Sequence, residues 1–120
     1  MGYVALLEGS VAEAQQLLVE TTANFHRDQN MNGLAFALDK MASLYVLTDK
    51  PEVAARLIGW SDANREAIGD PRPRIEQADL DRDIDSIRTK IGSSAFDVAY
   101  DSGRKMTLDE AVALALDTND

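Results

Sequence analysis

Apolar residues recur every three or four positions along most of this chain, the spacing that gathers them on one face of an α-helix. Val11, Ala14, Leu17, Leu18 and Thr21 form one such run, reaching about Asp28, and Leu34, Leu38, Met41, Ala42, Tyr45 and Val46 form the next. Ala54, Leu57, Ile58 and Ile68 continue the pattern. Leu80, Ile84, Ile87 and Ile91 make a narrow stripe on an otherwise charged segment from Glu76, which predicts a helix packed on one side only. Phe96 and Ala99 mark a short helix from about Ser94 to Tyr100, and Leu108, Ala111, Val112, Ala115 and Leu116 mark a last one. No segment alternates apolar and polar residues as a half-buried strand does, so the expected fold class is all-α.

Stop and start signals divide these runs. Gly9 is expected to end an opening helix over residues 1–8, and Ser10 with Glu13 makes a capping box for the second helix. The opening helix begins without a cap, which fits a fragment of a longer protein. Asn30, Asn32 and Gly33 punctuate next. Asp49 as cap, Pro51 in the first turn and Glu52 near the positive end of the dipole open another helix, which Gly69 closes. Pro71 and Pro73 push the residues before them out of helical geometry and make 70–75 an elbow. Asp101, Ser102 and Gly103 read as a turn, and Thr107 with Glu110 as a second capping box.

Residues 2–18 and 42–58 repeat one pattern at an offset of 40 residues: Gly2 falls on Ala42, Val4 on Leu44, Leu6 on Val46, Leu7 on Leu47, Ala14 on Ala54, Leu17 on Leu57 and Leu18 on Ile58. Such a period signals stacked helical hairpins. Ala42, Tyr45, Ala54 and Ile58 stand at the offsets of the tetratricopeptide signature, small residues where helices cross and an aromatic filling the gap to the next helix. The first copy has Ala5 where the aromatic belongs. The tail from Leu57-Ile58-Gly59-Trp60 through Ile91-Gly92, Phe96, Tyr100, Gly103 and Met106 to Leu116 adds the order of elements. Together these residues, nearly the whole chain, resemble the C-terminal helical-repeat region of bacterial LuxR-type (MalT-like) transcriptional regulators and signal-transduction ATPases.

The resemblance implies a tetratricopeptide-like right-handed hairpin stack: two hairpins over 1–69, the elbow at 70–75, and capping helices over 76–120. It further implies a sensor or scaffold segment whose ATPase and DNA-binding domains lie elsewhere. In such stacks the first helix of each hairpin lines a concave groove, here Tyr3, Leu6 and Leu7 from the first copy and Phe36, Asp39, Ser43 and Val46 from the second. A peptide could lie there with Asp39 as orienting contact; the alternative is burial of these residues against the C-terminal helices.

Composition narrows the function. Acids outnumber bases 21 to 12, for a net charge of −9, and no basic stripe exists, which argues against nucleic-acid binding. Apolar runs fall far short of the ~20 residues of a membrane span, and no signal sequence opens the chain, so a cytoplasmic location is expected. The absence of cysteine removes thiolate catalysis and Cys-based zinc sites. Asp79, Asp81, Asp83 and Asp85 lack the Gly and Glu of a calcium loop, having Ile84 and Lys90 at those positions, and point to opposite sides of a helix; they read as a solvated face. His26, the only histidine, has no partner at a catalytic spacing and reads as a surface residue. Trp60 reads as core. Arg72, Arg74, Arg104 and Lys105 read as local ion-pairing groups. The expectation is therefore a chain without catalysis, cofactor or metal: a protein- or ligand-binding module of a bacterial regulator, contacting a peptide, a partner protein or its parent's neighbouring domains. The competing readings are a structural cap or self-association element, paired as a homodimer through the N-terminal helices, and, third, a small all-α enzyme.

Overall fold

The computed structural model describes residues 2–116, with side chains from Ala12 onward. Among them are six helices and no strand: α1 (Gly2–Arg27), α2 (Met31–Leu47), α3 (Pro51–Ile68), α4 (Arg74–Ile91), α5 (Ser93–Arg104) and α6 (Leu108–Leu116). No helix among the described residues is long and apolar enough to cross a membrane.

The connections between the first helices are short, so neighbours run antiparallel. They also share one geometry. Gln29, Asp49 and Gly69, spaced twenty residues apart, all take the left-handed conformation, with φ of 54°, 64° and 68°. After each, a backbone N–H reaches back five residues: Asn30 to Phe25 at 2.9 Å, Lys50 to Tyr45 at 2.8 Å and Asp70 to Arg65 at 3.0 Å. These bonds satisfy carbonyls that a helix end otherwise leaves open. Asp49 thus closes α2 rather than capping α3, whose N-cap position is held by Lys50, a residue whose side chain makes no capping hydrogen bond; Pro51 stands at its first position as expected. Asn30 does cap α2, its Oδ1 accepting from the Gly33 N–H at 2.9 Å.

Two expected breaks are absent. Gly9 and Ser10 lie inside α1, so residues 2–27 form one continuous helix in place of the expected break, and the offset of 40 lays an unbroken helix over the turn after α2. A helix-interior glycine costs about 1 kcal/mol relative to alanine, which continuous backbone bonding and packing on α2 and α6 outweigh. Asp101, Ser102 and Gly103 likewise lie inside α5. Gly103 is buried there because of its contacts: a Cβ on it would overlap the backbone carbonyl of Arg56, and a Cβ on Gly59 would overlap that of Tyr100. Two glycines, one per helix, let α3 and α5 cross backbone against backbone.

Helix α3 is the centre of the fold, packed against α2, α4, α5 and α6. Its Ala54, Ala55, Leu57 and Ile58 are fully buried, as are Leu34, Leu38, Met41 and Ala42 of α2. Each large aliphatic side chain so buried contributes about 2 kcal/mol, and the alanines let the backbones approach. Leu80 and Ile87 carry the α4 stripe into this core, and Trp60 is 5% exposed, in the core role expected of it. Helix α6 starts on the expected capping box: the Thr107 N–H donates to Glu110 Oε1 at 2.8 Å and the Glu110 N–H to Thr107 Oγ1 at 3.1 Å. The Tyr45 hydroxyl ties it down by donating to the Ala115 carbonyl at 2.8 Å.

One contact between α2 and α4 has a pH signature. The Ser43 hydroxyl donates to Asp83 Oδ2 at 2.5 Å. Burial pushes the Asp83 carboxyl above its ordinary 3.8, Asp79 adds to this, and the Ser43 bond opposes it. The folded chain therefore holds that proton more tightly than the unfolded chain, and ionisation weakens the fold as pH rises from 3.8 through the folded value. Asp83→Asn keeps the acceptor for Ser43 but not the charge. Its urea midpoint is expected to gain on the unsubstituted chain with rising pH in that window and to stay ahead at pH 7. A gap that does not change with pH would contradict this assignment.

Candidate functional site

The most developed polar arrangement lies where the elbow folds back over α2 and α3. Asp39 stands on α2 between Ala35 and Ala42, on the helix's buried face, and is itself 7% exposed. A carboxylate there requires counter-charges, and two guanidiniums supply them. Arg72, from the elbow, binds it in a fork, Nε to Oδ2 at 2.7 Å and Nη2 to Oδ1 at 2.9 Å. Arg65, from the last turns of α3, donates from Nη2 to Oδ2 at 3.3 Å.

The network spreads from these three residues. Arg72 also donates to Asp62 through Nη1 and to Ser61 Oγ at 3.1 Å through Nη2. Ser61 in turn donates to the Ala35 carbonyl at 3.3 Å. Arg65 Nη1 holds Asp70 by its carbonyl at 3.2 Å and its carboxylate at 3.4 Å, and Asn32 donates to that carboxylate at 2.9 Å. On the other side the Tyr100 hydroxyl donates to Asp62 at 2.5 Å. The Arg72 side chain is 5% exposed. Burial would pull its guanidinium down, but Asp39 and Asp62 outweigh burial and hold it above its ordinary range. Burial, then Asp62, pushes the Tyr100 phenol up, so it remains a donor at neutral pH.

Above the network is an open hollow of about 410 Å³, lined by Asp62, Arg65, Glu66, Gly69, Asp70, Pro71, Arg72 and Gln77. Both arginines in it are occupied by carboxylates. Glu66 is exposed and Asp70 partly so, which gives the rim an acidic character; Arg104 holds Glu66 from α5 at 2.6 Å. Ile68 and Ile75, 39% and 79% exposed, bracket the elbow in sequence.

The groove expected from the sequence falls differently. Tyr3, Leu6 and Leu7 lie outside the residues whose side chains are described. Phe36 is 43% exposed, with Lys40 Nζ 5.4 Å from its ring centroid. Asp39 is not free to orient a partner, because Arg65 and Arg72 occupy it. Ser43 is taken by Asp83 of α4, and Val46 packs against the core. Helix α4, which crosses α2, puts Ser43 to this internal use. Asp39, Asp62, Arg65 and Arg72 were separable in the sequence only by one clue: a carboxylate within a buried stripe has to find a cation.

The other candidate groups are dispersed. His26 Nε2 meets Asp109 at 3.1 Å at the surface, a partner 83 residues away. Asp79 pairs with Arg82, Asp81 accepts from Gln77 and Asp83 from Ser43. No group of three or more His, Asp or Glu among the described residues could hold a metal ion. Arg72 and Arg104 form the expected ion pairs. Compared with protein-family models, curated proteins and solved structures, the chain matches none.

Proposed function

We propose that this chain is a non-catalytic binding module, a tetratricopeptide-like element of a cytoplasmic bacterial regulatory or signalling protein, and that the elbow hollow is where it takes a basic segment of a partner. The observation that carries this reading is the acidic hollow over a saturated ion network. Its two arginines are occupied, Arg65 by Asp39 and Asp70 and Arg72 by Asp39 and Asp62, and three carboxylates against two guanidiniums in the lining give the hollow its acidic character. The ion pairs that tie the elbow to α2 and α3 pre-form it. Rigid, pre-formed sites lose little entropy on binding. The exposed Ile68 and Ile75, which bracket the elbow in sequence, offer apolar anchors. The likeness of the tail to the repeat regions of LuxR-type regulators supports a regulatory parent, and the twenty-residue spacing of the left-handed turns supports a repeat built of successive helices.

A peptide of alternating lysine and leucine is expected to shift the amide resonances of Glu66, Gly69, Asp70 and Gln77, whereas its glutamate counterpart leaves them in place. Combining Glu66→Gln with Asp70→Asn removes two surface ion pairs of about 0.5 kcal/mol each and is expected to weaken binding about fivefold. Equal shifts with the acidic peptide, or none with the basic one, would remove the elbow as the docking site.

A further inference from the structure

A second hollow, of about 370 Å³, lies between α3 and α5 and is lined by Glu52, Arg56, Ser94, Ala95, Val98, Ala99 and Ser102. The one cation in this lining, Arg56, differs from the other buried arginines. Four other arginines are at least partly buried, and each has a carboxylate: Arg65 and Arg72 share Asp39, Arg88 meets Asp97 at 3.5 Å and Arg104 meets Glu66 at 2.6 Å. Arg56 is partly buried, yet no carboxylate among the described residues lies within 4.0 Å of it, and its Nε–H is buried without an acceptor. Glu52, one turn earlier on the same helix, is the obvious partner and does not reach it. In a chain with 21 acids against 12 bases, a half-buried guanidinium left alone is a cost that calls for a ligand.

The fold holds this guanidinium in place. The Arg56 carbonyl is the atom that Gly103 of α5 packs against, so the α3–α5 crossing fixes the backbone from which the side chain leaves. Ser94 and Ser102 bring two hydroxyls from α5 to the same hollow, neither engaged by another described residue. Ala95, Ala99 and the 72% exposed Val98 supply an apolar wall. A planar fork of donors, two hydroxyls and an apolar wall match a carboxylate on a small apolar group. Glu52 on the rim opposes a dianion such as phosphate. The size is that of a small-molecule site.

We propose that the Arg56 hollow binds a monoanionic organic carboxylate with a short branched apolar tail, Arg56 being its counter-ion. The site stands independently of the elbow reading, because it uses another pair of helices and the opposite ligand charge. The carboxylate can be a free small molecule or the C-terminal carboxylate of a peptide, and the test separates the two.

The intact chain, labelled for amide and arginine Nε–H resonances, is titrated with isovalerate, with a tetrapeptide ending in leucine, and with inorganic phosphate. Isovalerate is expected to shift Arg56 Nε–H and the amides of Ser94, Ala99 and Ser102 saturably. Arg56→Gln is expected to lower the affinity at least tenfold and Arg56→Lys severalfold, with unchanged melting as the check that the fold survives. Glu52→Gln is expected to leave isovalerate binding intact and to admit phosphate. Tighter binding of the tetrapeptide than of isovalerate assigns the site to peptide ends; the reverse assigns it to free carboxylates. No saturable shift with either, shifts that persist in Arg56→Gln, or phosphate binding the unsubstituted chain as well as isovalerate would each overturn the proposal.

Discussion

Arg72→Met is expected to destabilise the fold by about 3 kcal/mol, measured as the loss in urea-unfolding free energy at pH 7. The side chain is 5% exposed and is held by Asp39 and Asp62 at once. Methionine fills much of its volume, so little of the loss comes from a cavity. The cost lies in the partners left behind. Asp39, 7% exposed, keeps only Arg65, and Ser61 loses one of its bonds. Removing one member of a buried pair is more damaging than removing both, because the survivor stays desolvated and unpaired. Asp39→Asn added to Arg72→Met is therefore expected to cost less than the sum of the two single changes. Additive losses would mean that the pair contributes no coupling and that elbow and helices are held by packing alone.

Gly103→Ala carries the second large effect, an expected loss of about 2 kcal/mol. Two opposing terms decide it. Alanine in the interior of α5 gains about 1 kcal/mol of helix propensity over glycine. Its methyl group, however, would overlap the Arg56 carbonyl, a backbone atom that no rotamer change can move, so α5 has to lift off α3. Overpacking of a tight contact costs about 1–3 kcal/mol, and backbone obstruction puts this position at the upper end. Gly59→Ala, whose methyl group would overlap the Tyr100 carbonyl, is expected to behave alike. Gly69 is the contrasting case, with open space around it but a φ of 68°, so alanine there is limited to a backbone strain of about 1 kcal/mol. A neutral or stabilising Gly103→Ala in thermal melts would show that the two helices do not cross at these glycines. The same variant would disturb the Arg56 hollow, which is why the ligand test uses Arg56 and Glu52 instead.

Both effects arise at residues whose local sequence points elsewhere. Gly103 after Asp101-Ser102 is a turn signal, and Arg72 between two prolines looks like a solvated elbow charge. Local signals were reliable where the physics is local. The Thr107–Glu110 capping box, Pro51 in the first turn of α3, Gly69 at its end and the Leu80-to-Ile91 stripe all depend on neighbours within a turn or two, and all appear in place. Gly9 and Asp49 went the other way, because a glycine or an aspartate fits more than one role and the surrounding helix packing selects among them. The groove residues show the same limit. Asp39, Ser43 and Val46 share a predicted face, but whether that face is open depends on where α4 and the elbow come to rest.

The sequence by itself determined that the chain is helical, where most helices begin and end, and which side of each is apolar, since these follow from periodicity and from backbone chemistry at the ends. Only the tertiary structure decided that Arg65 and Arg72 converge on Asp39, that α3 and α5 cross through Gly59 and Gly103, and that no carboxylate among the described residues reaches Arg56. Those outcomes depend on pairs far apart in the chain. Their energies come from desolvation and close packing, and neither exists until the helices meet.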